Sequence, residues 1–306
     1  MEQFSAVLEL QAILFLLMMA GLVLRRKSIV TPAGRACLTD LLIDLVLPCN
    51  IIHAFMIELS PDILRETLAV LGVALGVQLF AWLTGKLVYR RCPPARRSVL
   101  QYATMCSNAG FMGNPIVEGI FGAQGLLYAS IYLIPLRFFM WTAGIACFTA
   151  MRWRDAVKKL AVHPCILAVW IGFFLMGTGF TLPAPLARSI NYLSGCNLPL
   201  SMLVIGGILA EVPLRSLLDR GTLGFCLIRL LALPAVVLAV CAALGLGTLA
   251  TGVCVVLTSM PAGSTTAILA EKYGGGAAYA SRLILMSTAL SLITIPFFCL
   301  IIQRFF

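Results

Sequence analysis

The sequence predicts an all-α integral membrane protein of ten transmembrane helices, arranged as two inverted five-helix repeats whose discontinuous helices 4 and 9 meet at the midplane. Three observations carry this. The 306 residues are 61% hydrophobic and 11% charged, with a mean hydropathy of +1.01, whereas a soluble domain is about half apolar and a quarter charged. Ten apolar runs can be marked, each near the roughly 20 residues that span the hydrocarbon core. Two of them are interrupted at mid-length by helix-breaking residues, at matching positions of the two halves.

The runs cover about 6–24, 36–56, 65–88, 97–120, 125–149, 160–180, 186–209, 221–246, 248–271 and 277–303. Span 1 follows Glu2 and Glu9 and precedes Arg25-Arg26-Lys27, the order of a first span entering from outside, not of a signal peptide. Span 2 carries Asp40, Asp44 and Leu47-Pro48-Cys49-Asn50. In span 3, Gly72 and Gly76 form a GxxxG, expected to serve packing within the fold. Span 4 holds the interrupted run Cys106 to Pro115, C-S-N-A-G-F-M-G-N-P, and span 5 holds Pro135 and Arg137. Span 7 carries Leu198-Pro199-Leu200-Ser201, span 8 Arg229, and span 9 the second interrupted run, S-M-P-A-G-S-T-T from Ser259.

Pro199 lies 151 residues after Pro48, and the same offset places Asn108-Ala109-Gly110 on Ser259-Met260-Pro261 and Gly113 on Ser264. Five spans per half is an odd number, so the halves (residues 1–150 and 151–306, together one membrane domain) have opposite orientation. That is the sequence outline of an inverted-repeat transporter. Charge is consistent with it. Lys and Arg crowd the connections after odd-numbered spans: Arg25, Arg26, Lys27 and Arg35; Lys86, Arg90, Arg91, Arg96 and Arg97; Arg152, Arg154, Lys158 and Lys159. The opposite side has Arg65, Arg188 and Arg304. The positive-inside rule then puts both termini outside the cytoplasmic membrane. Trp153, between two arginines, reads as an interfacial anchor.

The formal charge of +10 therefore sets topology and touches anionic lipid, and nucleic acid is not an expected partner. The 11 cysteines lie singly inside apolar runs, with no CxxC, and read as small packing residues. His53 and His163 are far apart. No metal, cofactor or catalytic residue is expected.

A broken helix exposes free N–H groups at the start of one half and free C=O groups at the end of the other. The starts favour an anion and the ends a cation. The candidate substrate-binding residues are thus Asn108, Gly110, Gly113, Asn114 and Pro115 of span 4, with Ser259, Pro261, Gly263, Ser264 and Thr265 of span 9; Thr266 adds another hydroxyl. Asp44, Arg137 and Arg229 are the candidates for ion coupling or charge pairing. Asp44 lies about 12 Å into span 2 at 1.5 Å per residue, where a carboxylate is costly unless paired, hydrated or protonated. It is either a proton or cation coupling group or the partner of Arg137 or Arg229. Arg229 is expected to snorkel toward the cytoplasmic face more readily than to contact substrate. Glu118 is expected at the solvated outer surface.

The chain resembles the auxin efflux carrier family. The resemblance is carried by N-A-G-F-M-G-N-P in span 4, M-P-A-G with the later A-E-K-Y-G (Ala270 to Gly274), L-x-L-P in span 2 and the closing S-T-A-L-S-L-I-T-I-P (Ser287 to Pro296). It covers nearly the whole chain. It implies a fold similar to sodium–proton antiporters and bile-acid symporters, with helices 4 and 9 crossing at the substrate site between a scaffold and a transport domain. Bacterial malonate and malate permease-like proteins belong to that family, as do plant carriers whose long cytoplasmic loop this chain lacks.

The resulting expectation is a secondary carrier for a small organic anion, a carboxylate, working by alternating access without a cofactor. The alternative is a proton- or sodium-coupled symporter or antiporter of the same fold for another solute. An intramembrane enzyme would need paired acids on facing helices, a metal motif or a nucleophile beside a base, and spans 4 and 9 hold no general base. A channel fits less well, since an internal inverted repeat argues for alternating access. The expected partners are the anion, membrane lipid, a proton or sodium ion in the coupled case, and a second copy in a homodimer.

Overall fold

Three of the wide turns in the long helices of this chain sit just before a proline. A proline lacks the N–H of the helical ladder, and its ring collides with the carbonyl four residues back. In the computed structural model, wide turns with i→i+5 spacing precede three of them: Leu42–Val46 before Pro48, Ala109–Gly113 before Pro115 and Ile228–Ala232 before Pro234. A wider turn relieves the collision without ending the helix, and such turns recur at functional sites.

The structure describes residues 2–56, 61–148, 162, 164–210, 220–263, 265–273 and 276–305. Its helices are α1 (Glu2–Arg26), α2 (Pro32–Ala54), α3 (Pro61–Val88), α4 (Pro94–Met105), α5 (Asn114–Phe139), α6 (Pro164–Thr178), α7 (Ala184–Gly195), α8 (Asn197–Leu209), α9 (Gly221–Ala243), α10 (Thr248–Thr258), α11 (Thr265–Lys272) and α12 (Ala277–Phe305). Among the described residues, five stretches are helices long and apolar enough to cross a membrane: Pro32–Ala54, Ile63–Val88, Ala109–Phe139, Gly221–Ala243 and Ala277–Ile302. Helices α6 and α10 are apolar but shorter. Helix α5 contains a kink at Gly122, with φ 65° and ψ −156°, inside the connection expected between spans 4 and 5. Only glycine takes that backbone without strain. Trp153 lies outside the described residues.

The helices pack as two groups. One contains α1, α2, α6, α7 and α8; the other contains α3, α4, α5 and α9 to α12. Each group draws on both halves of the sequence. In lipid the hydrophobic effect does not drive helices together, so close van der Waals approach must. The α1–α8 contact illustrates this: a Cβ on Gly21 would fall on the Leu203 carbonyl, and one on Gly206 on the Met18 carbonyl. Gly172 of α6 likewise makes room for the Phe55 ring, whose Cγ would lie 2.5 Å from an added Cβ. Gly72 and Gly76 behave differently from expectation. Both are exposed on α3, and among the described residues no other element comes within 4 Å of an added Cβ, so this GxxxG is not a packing seam among them.

Candidate functional site

Helix α4 ends at Met105, and Cys106 is extended, with φ −106° and ψ 92°. Helix α10 ends at Thr258, seven residues before α11 begins at Thr265. The two interruptions touch. Ser107 and Ala262 form an isolated antiparallel bridge. The Asn108 N–H donates to the Pro261 carbonyl at 2.8 Å, and the Gly263 N–H donates to the Cys106 carbonyl at 3.0 Å. The Ala262 N–H donates to Ser287 Oγ of α12 at 3.2 Å. Backbone groups that left their helices thus find partners across the break, which is what irregular chain requires where water is absent. Glycine eases the approach: a Cβ on Gly263 would sit 3.2 Å from both the Cys106 and Ser107 carbonyl oxygens, and one on Gly113 would push the Leu257 side chain aside, 2.6 Å from its Cδ2.

The expected site residues divide into groups around this contact. Asn114 and Pro115 open α5 and are buried, and Asn108, 7% exposed, precedes the wide turn. Gly110 is half-buried and faces open space. The Ser259 hydroxyl donates to the Val255 carbonyl at 2.7 Å and is used within its own helix. Thr265 Oγ1 receives a hydrogen bond from the Tyr102 hydroxyl at 3.1 Å. Thr258 Oγ1 and the Tyr132 hydroxyl lie 2.8 Å apart. Ser264 lies outside the described residues.

Several buried polar atoms here have no hydrogen-bond partner. Among the described residues they include both amide atoms of Asn114, Ser107 Oγ and Thr266 Oγ1. Asn114 and Thr266 are fully buried. An unsatisfied buried polar group costs roughly 1–3 kcal/mol, and each one in a native protein requires an explanation.

The charged candidates do not converge as one cluster. Arg229 is 2% exposed and does not snorkel, contrary to expectation. Its Nε donates to the Met260 carbonyl at 3.2 Å and its Nη1 to the Thr104 carbonyl at 3.1 Å, joining the C-terminal ends of α10 and α4. The wide turn Ile228–Ala232 carries it there. Arg137 is 6% exposed, and its Nη1 has no partner among the described residues. Asp44 is exposed, lies in the Leu42–Val46 turn, and has no ion pair with either arginine. The Cys165 thiol is in electrostatic range of both Arg137 and Asp44.

Sequence reasoning missed a polar chain linking the two helix groups. Asn50 Nδ2 donates to Ser194 Oγ at 2.9 Å and to Glu118 Oε2 at 3.1 Å. Asn197 Nδ2 donates to Asn50 Oδ1 at 3.3 Å, and Ser201 Oγ donates to Asn197 Oδ1 at 3.1 Å. Glu118 is therefore half-buried and hydrogen-bonded, not free at the outer surface. The available signal was an asparagine in each of two apolar spans, since polar groups there face protein and not lipid.

Residues 6–158 and 148–299 match the family described as Membrane transport protein. The chain belongs to this family, the auxin efflux carriers. Its members are membrane transporters and not enzymes, and the chain is a multi-pass membrane protein. It is similar to an uncharacterized transporter of Methanocaldococcus jannaschii, 23% identical over 300 residues, covering 94% of this chain and 96% of that one. An uncharacterized transporter of Methanothermobacter thermautotrophicus is 31% identical over 209 residues, or 66% of this chain and 67% of its own. A Rhizobium meliloti protein named "Putative malonate transporter" is 25% identical over 220 residues, 68% of each chain.

Proposed function

We propose that this auxin efflux carrier family member is a secondary transporter that moves a small organic anion, a carboxylate, by alternating access at the contact between the α4–α5 and α10–α11 breaks. One observation carries the reading: a fully buried Asn114 amide with neither of its polar atoms paired, one wide turn inside the half-helix that begins at Ala109, next to a second broken helix. An amide and a helix start together donate hydrogen bonds to a carboxylate. The family membership and the name of the Rhizobium relative support it.

The reading includes ten spans in two inverted repeats, residues 1–150 and 151–306, with both termini outside. The group of α3 to α5 and α9 to α12 moves against the group of α1, α2 and α6 to α8. Asn108, Gly110, Gly113, Asn114, Pro115, Ser259, Pro261, Gly263, Ser264 and Thr265 line the site. Asp44 is the proposed coupling group where uptake is proton-linked. Each elementary charge crossing 100 mV is worth about 2.3 kcal/mol, so an inside-negative potential by itself drives anion efflux.

The test is binding to the purified protein. Thermal shifts are measured with a panel of mono- and dicarboxylates and with their neutral amides. The reading expects a saturable shift with at least one acid; shifts with none of them would reject it.

A further inference from the structure

We propose that Arg229 sets the sign of the crossover: its guanidinium cancels the negative helix ends, leaving the positive ends to select an anion. The inference rests on the site reading given under Proposed function and deepens it. Each helix terminus carries a partial charge of about half an elementary unit, negative at the C-terminal end and positive at the N-terminal end. Helices α4 and α10 end at the contact, and the wide turn Ala109–Gly113 that leads into α5 begins there, as does α11. Two C-terminal ends together amount to about one negative charge, which a cation would otherwise occupy.

Arg229 fills that place from a third element. It hydrogen-bonds the Thr104 carbonyl of α4 and the Met260 carbonyl just beyond α10 at 3.1 and 3.2 Å, and it is buried. Among the described residues, the titratable groups near it are Tyr132, Cys106 and Tyr89, with no carboxylate among them. Within those residues its charge is set against helix ends and not against an acidic side chain. A planar guanidinium suits two carbonyls from different helices better than an ammonium does.

What remains is about one unit of positive partial charge, at Ala109, where the wide turn leading into α5 begins, and at the start of α11. The unpaired, fully buried Thr266 side chain is the second residue of α11, and that of Asn114 lies one wide turn past Ala109. One carboxylate matches that charge. Arg229 is a positioning and specificity-determining residue in this account, since it acts through the two helix ends.

The experiment compares malonate with its neutral diamide on purified protein, wild type and two variants, by thermal shift and isothermal titration. Wild type is expected to prefer malonate. Arg229→Met, which leaves the negative ends bare, is expected to lose at least roughly thirtyfold of that preference, the effect of Arg229 on the nearer of malonate's two carboxylates at about 8 Å in an effective dielectric near 20. Diamide binding changes much less. Arg229→Lys keeps the charge and should keep the preference at somewhat lower stability. A merely structural role would weaken acid and diamide alike. Full preference in a folded Arg229→Met would overturn the proposal, as would equal wild-type binding of acid and diamide. Should Arg229→Met not fold, Arg229→Lys decides: lost preference in that folded variant overturns the proposal, and retained preference supports it. Wild-type protein that binds no carboxylate at all would instead defeat the carrier reading itself.

Discussion

Replacing Asn114 with leucine should stabilise the protein and stop its transport. The side chain is fully buried and neither amide atom has a partner. Removing two unsatisfied polar atoms at roughly 1–3 kcal/mol each recovers about 2–6 kcal/mol. The extra branching of leucine in a tight interior returns about 1–3 kcal/mol of that. At the middle of these ranges the net gain is about 2 kcal/mol, which raises the melting temperature by several degrees, at roughly 2–4 °C per kcal/mol for chains approaching this size. Intrinsic tryptophan fluorescence in detergent, with and without the carboxylate panel, reads both quantities. A residue kept for function at the expense of stability behaves this way. A variant that melts several degrees lower while still binding carboxylate would refute the reasoning, because Asn114 would then be an ordinary packing residue.

At the α1–α8 contact, Gly206→Ala places a methyl group on the Met18 carbonyl; overpacking of that kind costs about 1–3 kcal/mol, so the melting temperature should fall, whereas Gly76→Ala on the open face of α3 should raise it slightly, because alanine is the better helix former. Asn108→Ala should weaken carboxylate binding at least tenfold with the fold intact, measured by titration, because the backbone bond of Asn108 to the Pro261 carbonyl survives the change. Asp44→Asn should abolish any dependence of flux on an imposed pH gradient in liposomes. Gradient dependence that persists in that variant removes Asp44 from the coupling role.

The sequence made the two interruptions legible because their signal is local. Asparagine, glycine and proline inside an apolar run admit few structures in lipid, and Cys106–Pro115 and Ser259–Thr266 concentrate them. That the breaks touch follows from long-range pairing of Ser107 with Ala262, which only the offset between the halves hinted at. Arg229 was misjudged for the same reason. Distance from a span end suggested snorkelling, but its partners Thr104 and Met260 lie on other elements, and no sequence spacing encodes them. The glycines that matter for packing, Gly21 and Gly206, stand alone on separate helices, so a search for GxxxG finds Gly72 and Gly76 instead. The Asn50–Asn197 chain was hidden because a single asparagine in a span has no local mark of the partner it will meet.

Flux in liposomes tests the central claim most directly. Purified protein is reconstituted, loaded with labelled malonate, and followed under an imposed voltage with no ion gradient. The account predicts saturable malonate efflux, driven by an inside-negative potential, present in wild type and absent from Asn114→Leu. Malonate flux that rises linearly without saturation, or that is identical in Asn114→Leu, would contradict it.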